Sequence, residues 1–109
     1  MSTKDVKELA IEQAKKFGGK LEVCPIVPIE TKGDLGIAYT PGVAAVSSAI
    51  HEKKERAYEL TTKKNTVAVI SDGSAVLGLG NIGPEAAMPV MEGKAALFKR
   101  FAGVDSIPL

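Results

Sequence analysis

Residues 66–83 read TVAVISDGSAVLGLGNIG and residues 89–105 read PVMEGKAALFKRFAGVD. The run Thr66 to Ile70 is continuous and β-branched. It is too short for a helix and does not alternate, which is the pattern of a strand buried on both faces of a parallel sheet. Ser71-Asp72-Gly73 ends it, and Val76 to Gly83 is a glycine-rich loop. Pro84 and Pro89 each mark a possible helix start, and the stretch from Pro89 to Phe101 reads as one helix with Gly103 behind it. Val104 to Leu109 begins another strand-like run. Strand, loop, helix and strand in that order make a parallel crossover, so these stretches predict an α/β fold: a small layered domain with a short, mostly parallel sheet flanked by helices.

The segments before this unit fit the same class. Val6, Leu9, Ala10, Ala14 and Phe17 share one face at helical spacing, which predicts an amphipathic helix over 3–17. Ser2 or Thr3 can cap its start and Gly18-Gly19 can end it. Lys20 to Val23 alternates and reads as a short strand, and Pro25 and Pro28 forbid a central strand beyond it. Thr31 to Asp34 reads as a turn. Thr40-Pro41-Gly42 opens a helix with Thr40 as its cap, Ala44 to Ile50 forms a small apolar helix body, and a short helix follows around Lys54 to Leu60. Thr61 to Asn65 is a polar connection.

Composition excludes several classes. With 109 residues, 45% hydrophobic and 25% charged, the chain has the make-up of one small globular domain. A net charge of +1 leaves no electrostatic footprint for nucleic acid. No apolar run approaches the roughly 20 residues of a membrane helix, and no signal region follows Met1. A lone Cys24 cannot form an internal disulfide, which fits a cytoplasmic protein. Cys24 and the lone His51 cannot make a zinc site. Cys24 is expected as a buried small hydrophobe and His51 as a solvated helix-end residue. A strand-like run at the chain's end, after a complete crossover, carries the expectation that more chain follows.

Three motifs could carry chemistry. Gly78, Gly80 and Gly83 satisfy G-x-G-x-x-G, the dinucleotide fingerprint, which needs strand, tight turn and helix, with an acid about 20 residues on. Here the strand ends well before Gly78 and no acid stands at a strand end at that distance, so close backbone packing of the loop is the other reading. Tyr39 lies just before a helix start, where its hydroxyl can reach a cleft or its ring can simply pack. Lys94 sits in an apolar stretch flanked by small residues. A desolvated lysine can serve as a base near neutral pH, whereas a snorkelling one does not.

Taken together, 35–44 (LGIAYTPGVA), 66–83 and 89–105 resemble the malic enzymes of the short bacterial and archaeal type, over nearly the whole chain. The resemblance implies the amino-terminal, substrate-side domain of an enzyme that oxidises and decarboxylates L-malate to pyruvate and CO2 with NAD or NADP and Mg2+ or Mn2+. It implies Lys94 as the base that takes the 2-hydroxyl proton and Tyr39 as the acid that protonates the enolpyruvate carbon. It places Gly78, Gly80 and Asn81, with Gly83, at the malate cleft rather than on the cofactor. The metal ligands and the Rossmann domain would lie outside residues 1–109, so this chain alone is expected to bind neither metal nor nucleotide and to be inactive. Ala75 stands where some larger members carry a carboxylate-gripping arginine. The resemblance also implies a homodimer made partly through the first helix. Two other classes remain: a stand-alone dimerisation or regulatory module, and a small nucleotide-binding protein.

Overall fold

The computed structural model describes residues 5–109. Helix α1 spans Val6–Phe17, capped by Asp5, whose carboxylate accepts the Glu8 N–H at 2.9 Å. The caps expected at Ser2 or Thr3 fall outside the described residues. Gly18, at φ 67°, ends α1 in the left-handed conformation a glycine tolerates. Helix α2 is Lys32–Ala38, α3 is Gly42–Glu52 and α4 is Ala57–Leu60; strand β1 is Thr66–Val69, helix α5 is Gly83–Ala102 and strand β2 is Asp105–Pro108. Short 3-10 turns at Lys54–Arg56 and Thr62–Lys64 flank α4.

The chain divides into two compact units, the stretch up to Glu22 with Val67–Leu109 and the intervening Val23–Thr66. In the first, β1 and β2 pair side by side. The Leu109 N–H reaches the Val69 carbonyl at 2.8 Å while the Ser71 N–H reaches the Leu109 carbonyl at 3.3 Å. One residue bonded to two that flank its partner is the parallel pattern, so β1, α5 and β2 form the expected crossover. Helix α5 packs on β2, and among the described residues the buried side chains are Ala87, Met91 and Ala95, spaced four apart along α5, with Ser106 of β2. The turn before α5 is held by Gly73, whose carbonyl accepts the N–H groups of Ile82 (3.0 Å) and Gly83 (3.1 Å).

In the second unit the polar tetrad at Thr31 is a helix start rather than the expected free turn. Thr31 Oγ accepts the Asp34 N–H at 3.1 Å, and Asp34 Oδ2 accepts the Thr31 N–H at 3.2 Å. That reciprocal pair is a capping box with aspartate in the usual glutamate place. Helix α3 starts one residue later than expected, with Pro41, not Thr40, at the cap and no side-chain capping bond. The Thr40–Pro41 peptide is cis. A Cβ on Gly42 would run into the Ile37 carbonyl, so a side-chain-free residue is what lets α3 begin against the end of α2.

Other expectations change. Lys20 to Val23 runs without regular structure: among the described residues no strand pairs with it, and the Lys20 N–H instead meets the Glu92 carboxylate at 3.5 Å. Helix α5 begins at Gly83, not Pro89, with Pro84 in its first turn and Pro89 inside it. Pro84 loses nothing there because first-turn donors have no helical partner, and exposed Pro89 removes one bond without ending the helix. Strand β1 is not buried on both faces, since Val67 and Ala68 are exposed. Cys24 is exposed rather than buried.

The described core is small for the chain. Among the described residues, large apolar side chains such as Val23, Ile26, Ile70 and Phe101 are largely exposed.

Candidate functional site

Lys94 lies in the interior of α5. At about 100° per residue it sits about 20° from Ala87 around the helix, at the margin of the buried stripe. Beyond that same margin lies a second apolar stripe, Ala86, Val90, Gly93, Leu97 and Phe101, spaced by four and three residues. This one is uncovered: Val90 is 51%, Leu97 57% and Phe101 79% exposed. Lys94 is itself exposed, and it has no hydrogen-bond or ion-pair partner among the described residues, whereas Lys99 is held by Asp105 at 2.7 Å. The desolvation expected of Lys94 is thus not supplied by this chain. Of its small apolar neighbours, Ala95 is buried while Gly93 belongs to the uncovered stripe.

The glycine loop is a tight hairpin. Val76 and Gly80 exchange N–H···O bonds at 2.8 and 2.7 Å, and the Leu79 N–H also reaches the Val76 carbonyl at 2.9 Å. Gly78 (φ 81°) and Gly80 (φ 75°) permit the reversal, and Leu77 at its tip is fully exposed. Only the last glycine, Gly83 (φ 84°), stands at the helix start. The dinucleotide fingerprint instead needs its glycines in the turn between a strand and a helix. Asn81 is exposed beside Gly80. Gly78, Gly80 and Asn81 share one loop, while Lys94 lies about 16 Å along the helix axis from Gly83 at about 1.5 Å per residue.

Ahead of the hairpin, Asp72 closes its own turn. The Ser74 hydroxyl, and then the Ser74 backbone N–H at 2.9 Å, hold its exposed carboxyl below the ordinary carboxylate range. Gly73 is buried at φ 72°, and a Cβ there would overlap the Gly83 carbonyl. Its role escaped the sequence reading, although Asp-Gly after a strand is a turn signal. Tyr39 ends α2, its N–H bonded to the Leu35 carbonyl at 2.8 Å and its carbonyl accepting the Val43 N–H at 2.6 Å. Its ring is 69% exposed. Tyr39 and Lys94 belong to different units. Among the described residues no group of three or more His, Cys, Asp or Glu side chains converges as a metal site would require.

Residues 18–109 match the family described as malic enzyme, N-terminal domain. The chain belongs to the malic enzyme family. It is 64% identical over 93 residues to an NAD-dependent malic enzyme of Geobacillus stearothermophilus, covering 85% of this chain and 20% of that protein. It is 58% identical over 91 residues to an NADP-dependent malic enzyme of Rhizobium meliloti, covering 84% of this chain and 12% of that one. The fold matches the crystal structure of a Thermotoga maritima NAD-dependent malic enzyme with a TM-score of 0.87 and 52% identity, over 92% of this chain and 28% of that chain. An Entamoeba histolytica malic enzyme matches with a TM-score of 0.88 and 35% identity, over 94% and 21%. The sequence spans about a quarter or less of the malic enzyme relatives it matches first, 20% and 25% of their lengths. The small α/β fold with a parallel pair of strands is that of the malic enzyme amino-terminal domain.

Proposed function

We propose that this chain is the substrate-side domain of a malic enzyme that converts L-malate to pyruvate and CO2 with reduction of NAD or NADP, Lys94 taking the 2-hydroxyl proton and Tyr39 protonating the enolpyruvate carbon. The observation that carries the reading is the setting of Lys94, an unpaired amine at the margin of an uncovered apolar face. Covering that face in a larger assembly would exclude water from around the amine and bring a bound substrate against it. Tyr39, at a helix end with its ring in the open, has a hydroxyl free to donate.

Gly78, Gly80 and Asn81 then form a wall of the malate cleft, their hairpin letting substrate approach the backbone closely. Among the described residues no carboxylate group converges as a Mg2+ or Mn2+ site would need, so no step is assigned to a metal ligand of this chain, and the nucleotide is taken to bind elsewhere in the full-length enzyme. The same reading makes the enzyme a cytoplasmic homodimer paired partly through α1, whose Val6, Leu9 and Phe17 are exposed. The test is malate-dependent formation of reduced nicotinamide by the full-length protein. Lys94→Ala should lower turnover about 10²–10⁴-fold with cofactor affinity unchanged. Near-normal turnover in that variant removes Lys94 from the mechanism.

A further inference from the structure

Every residue of α1 is exposed, and the buried Ala87, Met91, Ala95 and Ser106 all come from α5 and β2. The helix nonetheless groups with Val67–Leu109 rather than with the unit that follows it in sequence. A described contact that joins the two lies at its end. Beyond Gly18 the chain turns through Gly19 at φ 113°, and the Lys20 N–H donates to Glu92 Oε2 of α5 at 3.5 Å. Gly19 passes so close that a Cβ on it would stand 2.8 Å from the same oxygen.

Charge does not explain the carboxylate. The carbonyl end of a helix carries partial negative charge, which disfavours an acid there. Lys15 and Lys16 stand in the last turn of α1, yet Glu92 has no ion-pair partner among the described residues. What Glu92 supplies is an acceptor for a backbone N–H that belongs to no helix or strand. Around α5 it lies about 60° beyond Ala95 and about 160° from Lys94, so the contact leaves Lys94 and the uncovered stripe clear. We propose that Glu92 is a latch that docks α1 on α5, and that α1 is a strap able to release and re-dock while β1, α5 and β2 stay folded. No side chain of α1 is buried, so release forfeits little beyond the latch itself.

Hydrogen–deuterium exchange read by mass spectrometry on the full-length protein tests this in wild type, Glu92→Ala and Glu92→Gln. Amides of Val6–Phe17 should exchange about 2- to 10-fold faster in Glu92→Ala, the worth of one hydrogen bond in an opening equilibrium. Amides of α5 and β2 should keep their wild-type rates. Glu92→Gln retains an acceptor oxygen and should stay near wild type. Unchanged α1 exchange in Glu92→Ala overturns the proposal, since the latch would then hold nothing. Equal acceleration in α5 and β2 overturns it too, because α1 would open only with the whole unit. A Glu92→Gln variant as fast as Glu92→Ala also overturns it, since the acceptor oxygen would not be what holds α1.

Discussion

Replacing Gly73 with alanine should be among the most damaging single changes available in the first unit. Two costs add. At φ 72° a Cβ costs about 1–2 kcal/mol against its own carbonyl. The new methyl would also overlap the Gly83 carbonyl, and relieving that overlap separates the strands of the turn. The bonds at risk are the two from the Ile82 and Gly83 N–H groups to the Gly73 carbonyl, 3.0 and 3.1 Å long. At about 0.5–1.5 kcal/mol each, the total is about 2–5 kcal/mol, a large share of the roughly 5–15 kcal/mol that holds a domain together. Gly78→Ala is the control, because its φ of 81° carries the same strain while a Cβ there has nothing within 4 Å. It should lose only about 1–2 kcal/mol. Urea unfolding followed by far-ultraviolet circular dichroism reads both variants in the same protein. In heat, each kcal/mol corresponds to about 4–8 °C for a domain near this size. Equal destabilisation of the two would mean that the Gly73–Gly83 contact is not what holds the glycine loop to the start of α5.

Three further outcomes follow from particular side chains. Tyr39→Phe in the full-length enzyme should reduce conversion of malate to pyruvate about 10²–10⁴-fold without moving the unfolding midpoint, because the ring is already exposed; normal turnover would leave Tyr39 a structural residue. Ser106→Ala should raise stability by up to about 1 kcal/mol in thermal unfolding, since its buried hydroxyl has no hydrogen-bond partner among the described residues; a loss of that size would reveal a partner. Leu9→Glu with Phe17→Glu should convert a dimer to monomer in sedimentation if α1 makes the contact, and a dimer that survives both charges would place the contact elsewhere.

Residue type and turn residues made the crossover legible. The β-branched run at Thr66, the glycine at 103 and the strand-like end gave β1, the end of α5 and β2 within a residue or so. What misled was local chemistry with two outcomes. Pro89 looked like a helix start, yet a helix already nucleated behind Pro84 continues through an exposed proline. Thr31 to Asp34 looked like a turn because threonine, glycine and aspartate favour both turns and helix caps, and only the reciprocal side-chain bonds tell them apart. Lys20 to Val23 alternated correctly for a strand, but strand identity requires a neighbour and sequence does not say whether one exists. For the site, the family resemblance named Lys94 and Tyr39, and spacing alone left both open. The exposure of Lys94 was not legible, because a helix apolar on two faces reads the same whether one or both are covered.

The stretch from Lys20 to Glu30 is exposed throughout, with neither helix nor strand. A protease cleft binds its substrate as an extended strand, so this stretch needs little local unfolding before it can be cut. Trypsin should therefore nick the native chain first after Lys20, ahead of Lys94 or Lys99 within α5. The fate of the released α1 then separates two kinds of attachment. If the piece stays associated, side-chain contacts such as that of Glu92 with the Gly19–Lys20 backbone hold it in place. If it departs, α1 was tethered to the rest mainly by the covalent chain.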